Sequence, residues 1–277
     1  MASTNTQQLL AAVLAGAAIT FGATFLLKYS NAASSSPRKA RVNSCGGGSE
    51  DSTDDSTLEN GFSNQESSDH NASSARKNAA CTPEDVLSRL QRGNSRYWTG
   101  RATRPKASAF KRRALLSGQH PTVAVLGCAD SRVPVEIVFD QGIGDMFVIR
   151  VAGNCLDTGA EGSIEYAVAH LKVKVLIVMG HEGCGAIQAA RSPIRDIEKQ
   201  PTSLGNVLKG IKGGLDEGLL SNISDPRASD REAVVANVKT QVCRLLENEV
   251  IKQSVESKRM VVIGAFYEMS SGIVDFF

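Results

Sequence analysis

The chain has 277 residues, enough for one substantial domain and a further segment. Its 31 Lys and Arg against 29 Asp and Glu leave a net charge of only +2, so no basic excess points to nucleic acid as a partner. Six cysteines in a chain of this size make no disulfide scaffold, and their spacing misses the paired zinc-finger pattern; a reducing compartment with metal-binding or core thiols is the better reading.

Leu9 to Leu27 is an apolar run without a charge. As a helix it would extend roughly 30 Å, enough to cross a bilayer. Met1 to Gln8 lacks the basic start of a cleaved signal peptide, and positive charge follows the run at Lys28, Arg38, Lys39 and Arg41. A signal anchor with the rest of the protein on the cytosolic side is therefore expected for residues 1–28. The competing reading is a chloroplast or mitochondrial transit peptide, since serines are frequent and the first acidic residue is Glu50. Residues 29–80 are Ser-, Asn- and Asp-rich and too poor in large apolar residues to offset their ordering entropy, and are read as a tether. Cys45 and the sequon at Asn71 fall within it, and a second weak sequon starts at Asn222.

A domain is expected over residues 81–277. Thr82-Pro83-Glu84-Asp85 is a helix start: a capping hydroxyl, proline at the first helical position and acids in the first turn. Val86, Leu87 and Leu90 carry its apolar spacing, with Trp98 as an anchor at its end. A second helix is expected over Lys111 to Leu116. The pattern then alternates as in a parallel sheet: strand Thr122 to Leu126, a short helix Pro134 to Phe139, strand Asp145 to Val151, helix Gly162 to Leu171, strand Val173 to Met179 and a helix within Gly183 to Arg191. Pro201 to Pro226 reads as irregular or short-helical. Ser229 to Ser257 holds one or two helices, and Met260 to Phe266 a last strand. Ser270-Ser271-Gly272 turns that strand back into Ile273 to Phe277, a closing hairpin. The fold class is α/β, a mostly parallel β-sheet flanked by helices.

Two of these strands lead into short polar stretches: Cys128-Ala129-Asp130-Ser131-Arg132, and His181-Glu182-Gly183-Cys184. In an open α/β sheet, loops at the carboxyl ends of parallel strands meet at one crevice, so Cys128, His181 and Cys184 are expected to converge. Two thiolates and an imidazole suit zinc and leave a fourth tetrahedral position open, the arrangement of catalytic rather than structural sites. Asp130 and Arg132 occupy alternate positions, so the guanidinium can grip the carboxylate in a fork. Asp130 has two possible partners: it can take the fourth zinc position, closing the site, or pair with Arg132 and accept a hydrogen bond from a zinc-bound water. Amides at the start of the helix after Cys184 favour a thiolate there.

These two stretches resemble the signature of the β-class carbonic anhydrases. The resemblance runs over roughly residues 82–277 through Arg150-Val151-Ala152-Gly153-Asn154, Ser163-Ile164-Glu165-Tyr166-Ala167, and Asn237-Val238 with Gln241-Val242. It implies reversible hydration of carbon dioxide to bicarbonate and a proton by zinc-bound hydroxide. Cys128, His181 and Cys184 match the zinc ligands, Asp130 and Arg132 the catalytic dyad, Gln141 a glutamine that bonds substrate, often across a dimer interface, and Gly185 the glycine after the last ligand. It also implies a homodimer or higher even oligomer. Glu182 departs from the Ser or Thr common at that place. Carbonyl sulfide or carbon disulfide hydrolysis shares the chemistry and is not separated by the motif; a non-catalytic, membrane-tethered zinc or bicarbonate sensor would keep the fold, though the intact dyad argues against it. Cys155, Cys243, Tyr166 and Tyr267 read as core residues, His120 as a surface residue and His170 as a packed or C-terminal helix residue.

Overall fold

The computed structural model describes residues 80–103 and 108–277. The apolar run, the tether, Cys45 and the sequon at Asn71 lie outside them. Among the described residues no helix is long and apolar enough to cross a membrane.

The sheet is built on β1 (Val123–Cys128) and β3 (Val175–His181), whose residues are all buried. With β2 (Met146–Val151), β4 (Val261–Tyr267) and β5 (Val274–Phe276), the order is β2-β1-β3-β4-β5. The first four strands are parallel and β5 is antiparallel to β4, the expected hairpin. β1 and β3 run two residues further than the sequence pattern places them. The ligating residues Cys128 and His181 are therefore the last residues of strands, held by the sheet itself.

Side-chain alternation splits the core into two layers. Ala124, Leu126, Leu176 and Val178 face one layer. Val123, Val125, Val175 and Ile177 face the other. The second layer is covered by α1 (Pro83–Trp98), whose capping box is complete: Thr82 accepts from the Asp85 amide and Asp85 accepts from the Thr82 amide. α2 (Ala109–Ala114) follows, capped by Ser108, then α3 (Val135–Val138) after β1. Trp98 does not anchor α1; it is exposed, and the apolar stripe ends on Tyr97, whose hydroxyl meets that of Tyr267 at 3.1 Å.

The first layer is covered by α4 (Thr158–Ala169), α9 (Pro226–Glu247) and α10 (Glu249–Glu256). α4 starts four residues earlier than expected because Asp157 caps it, accepting from the Ala160 amide at 2.7 Å. Asn248 separates α9 from α10: its backbone is extended and its side chain caps the second helix. Between β3 and α9 lie α5 (Gly185–Ala190), α6 (Ile194–Ile197), α7 (Thr202–Lys212) and α8 (Glu217–Ser221), so the stretch read as irregular or short-helical holds two short helices.

α9 crosses the sheet where β3 has Gly180. A Cβ there would lie 2.4 Å from a Val234 methyl and 2.9 Å from one of Val238. Valine side chains are stiff, so neither can turn aside. Gly180→Ala is expected to force α9 off the sheet and cost about 1–3 kcal/mol, read as a lower urea midpoint with unchanged slope.

Candidate metal centre

β1 and β3 are neighbours in the sheet, and the chain leaves β1 toward β2 on one side and reaches β3 on the other. Their carboxyl ends thus open at a topological switch point, where ligands bind in this class of sheet. Cys128 ends β1, His181 ends β3, and Cys184 follows one tight turn later at Gly183, whose φ of 65° suits glycine.

The three ligand atoms lie within 4.8 Å of one another, and all three residues are buried. The two sulfurs are 3.9 Å apart. Two sulfurs bonded to one tetrahedral zinc at 2.3 Å would be separated by roughly 3.8 Å. His181 has its Nδ1 2.9 Å from the Glu182 carbonyl, which can only accept, so Nδ1 carries the proton. Its Nε2 is then a lone-pair donor atom, buried and without a hydrogen-bond partner. A buried orphan acceptor is costly unless something electrophilic meets it. The donor set and the spacing fit a zinc ion.

The two sulfurs are hydrogen-bonded to each other. Cys128 is drawn down to about 4 by the hydrogen bond from Cys184, against the cost of burial, with further help from His181 and the amides of Asp130 and Gly153. Both amides lie 3.4 Å from its sulfur. Cys184 is pushed up by that same bond and by burial, while the amides of Ala186 and Ile187 in the first turn of α5 pull it down.

Asp130 is paired with Arg132. Arg132 Nε donates to Oδ1 at 3.0 Å and Nη2 to Oδ2 at 2.7 Å, and the Arg132 amide adds a bond to Oδ1 at 2.9 Å. The guanidinium holds this carboxyl well below the usual carboxylate range. Oδ2 lies 3.9 Å from His181 Nε2, so the carboxylate borders the cluster without belonging to it. Arg132 Nη2 also donates to the Gly183 carbonyl at 3.2 Å, tying the two site loops together.

Gln141 joins none of this within the same chain: its Nε2 donates to the carbonyls of Phe139 and Asp140. Gly185 is the first residue of α5. Glu182 accepts from the Ser270 amide at 2.9 Å, which fixes the ligand turn to the β4–β5 turn and holds its carboxyl low. Cys155 is buried, but Cys243 is only half-buried. Tyr267 is core; Tyr166 is 46% exposed and stacks on His170 at the solvent-facing end of α4, contrary to its core reading. His120 is half-buried.

The support behind Cys128 comes from a relay that periodicity hides. Asn237 and Gln241 lie on the buried face of α9 and carry no apolar surface. Gln241 Nε2 donates to Asn237 Oδ1 at 3.0 Å, its Oε1 accepts from the Leu156 amide, and Asn237 Nδ2 donates to the Gly153 carbonyl at 2.9 Å. Gly153 has a φ of 61°, and a Cβ on it would lie 2.6 Å from Ile211 of α7. Two buried polar residues one helical turn apart were the available signal.

Residues 123–274 match the family model described as carbonic anhydrase. This chain belongs to the carbonic anhydrase family. It is 36% identical over 183 residues to carbonic anhydrase 2 of Mycobacterium tuberculosis, covering 66% of this chain and 87% of that protein. A carbonic anhydrase of Mycolicibacterium smegmatis is also 36% identical, over 196 residues, 67% of this chain and 89% of that protein. Among solved structures, the chain is similar to tetrameric β-carbonic anhydrases of Sordaria macrospora, with a TM-score of 0.57 at 28% identity, covering 66% of this chain and 92% of that one. The β-carbonic anhydrase CcaA gives the same TM-score at 25% identity over 69% of this chain and 95% of that one. The site thus belongs to the β class.

Asn237→Ala in this carbonic anhydrase would orphan the Gly153 carbonyl and the Gln241 amide together. A loss of about 1–3 kcal/mol is expected in denaturant unfolding, without change in the far-ultraviolet spectrum of the native state.

Proposed function

We propose that this chain catalyses the reversible hydration of carbon dioxide to bicarbonate and a proton, with zinc held by Cys128, His181 and Cys184. The observation that carries this is the convergence of the three donor atoms within 4.8 Å beside an Asp130 carboxylate already locked by Arg132.

When bound, the ion supplies Lewis acidity, which brings the pKa of a water near neutrality. Cys128 and Cys184 as thiolates and His181 as a neutral imidazole would hold the ion. Asp130 stays ionised across the neutral range and so acts only as an acceptor. Placed 3.9 Å from His181 Nε2, it orients the attacking oxygen by accepting its proton in a hydrogen bond. Arg132 supplies the fixed geometry: by donating to both carboxylate oxygens, it holds Asp130 at the edge of the three-donor cluster. Glu182, through its carbonyl, holds the His181 tautomer that leaves Nε2 free.

Gln141 is assigned a substrate contact, across the interface with a second copy of the chain, on the resemblance to the β-class enzymes; within its own chain its amide donates to the Phe139 carbonyl. Gly185, beside the last ligand, is assigned to substrate binding on the same resemblance. Assembly as a homodimer or larger even oligomer is supported by the Sordaria macrospora relatives, which are described as tetrameric.

Asp130→Asn is expected to keep stoichiometric zinc and to lower stopped-flow hydration about a hundredfold or more. Cys184→Ser is expected to lose the metal by elemental analysis. Hydration at the wild-type rate in the first variant would remove the dyad from the mechanism.

For location, we infer a membrane anchor in residues 9–27, joined through 29–80 to the catalytic domain at 81–277. The uncharged run followed by Lys28, Arg38, Lys39 and Arg41 supports it. Full-length protein should sediment with membranes and resist carbonate extraction, whereas a chain lacking residues 1–80 should be soluble and active. A relative described as mitochondrial, 32% identical over 60% of this chain, keeps organelle import as the competing outcome, read by fluorescent fusion and by the mass of the mature chain.

A further inference from the structure

The Cys128–Arg132 loop carries one sulfur and the whole dyad, and its placement has to come from outside it. The Asp130–Arg132 fork links residues two apart and stiffens the loop; Arg132 also ties it to the Gly183 carbonyl, on the β3 side. β1 and β2 pair in register up to Cys128 opposite Val151, and the Ala129 amide then donates to the Val151 carbonyl at 3.0 Å. There β2 ends in the tight turn Ala152–Asn154. Beyond that point β2 reaches the loop through a side chain. Arg150 Nε donates to the Cys128 carbonyl at 2.9 Å, and Arg150 Nη2 donates to the Asp130 carbonyl.

Arg150 is the single charged residue of β2 and is exposed, so it adds nothing to the core. Its partner across the ladder is Gly127, which has no side chain on the shared face to obstruct a guanidinium reaching forward. The fork is rigid and always charged, and it spans two carbonyls that flank the first sulfur and the dyad carboxylate.

We propose that Arg150 is a positioning residue for the hydration reaction: its guanidinium fork on the Cys128 and Asp130 carbonyls sets the distance between the first metal donor and the dyad. This rests on the hydration reading above. Misplacement of a reacting group by about 1 Å can cost a hundredfold in rate, whereas the exposed Arg150 side chain buries no core surface whose loss would lower the melt. Rate is thus expected to fall where stability and metal do not.

The test uses the full-length protein. Arg150→Gln, Arg150→Lys and Arg150→Gly are compared with wild type by stopped-flow hydration, zinc content and thermal melting. Arg150→Gln should keep zinc and its melt while kcat falls about tenfold to a hundredfold with KM little changed. Arg150→Lys, which keeps the charge but not the fork, should lie between it and wild type. Arg150→Gly should regain part of its rate with millimolar guanidinium, and less with ammonium. Wild-type kcat in Arg150→Gln, or loss of rate in step with loss of zinc or melt and without guanidinium rescue, would overturn the positioning role alone. Absence of hydration in zinc-loaded wild type would overturn the role and the hydration reading together.

Discussion

Parallel pairing of β1 with β3 brings together residues more than fifty positions apart. The register from Val123 opposite Val175 to Gly127 opposite Met179 leaves Cys128 and His181 at adjacent strand ends. Both strands are buried on both faces, so their side chains must be apolar until the crevice begins. Cys128 and His181 are where that apolar run meets the polar opening. Shifting either strand by one residue would turn its ligand to the other face.

The burial that fixes the donors also sets their chemistry. His181 is fully buried, so its tautomer is decided by one contact, the Glu182 carbonyl. The thiols are close enough to hydrogen-bond, and that bond draws Cys128 down and pushes Cys184 up. Asp130, more open, is governed by Arg132. Each group is thus paired with a neighbour that selects one protonation state, which prepares the site for a cation.

Outside the strands the site is supported in layers. α9 reaches over the sheet at Gly180 and sends Asn237 and Gln241 down to the turn behind Cys128. α7 closes on Gly153 through Ile211. Glu182 pins the ligand turn to the hairpin through Ser270. These contacts join segments far apart in the chain, and none of them makes part of a local motif.

Local physical chemistry was readable in the chain directly. Apolar β-branched runs located β1 to β4, Thr82-Pro83 located the start of α1, and Cys128, Asp130, Arg132, His181 and Cys184 stood out by residue type and spacing. Helix starts capped by Asp157 and Asp225 carry the same kind of signal, but weak apolar spacing after them obscured where α4 and α9 begin. Tyr166 and Trp98 look like core residues by composition, yet exposure depends on what packs against a helix face, which one-dimensional spacing does not contain. The amino-acid order determined which chemical groups exist and at which strand ends they stand. Only the folded sheet decided that Cys128, His181 and Cys184 meet within 4.8 Å, with Asp130 3.9 Å from His181 Nε2, because distances across strands arise from long-range pairing and burial.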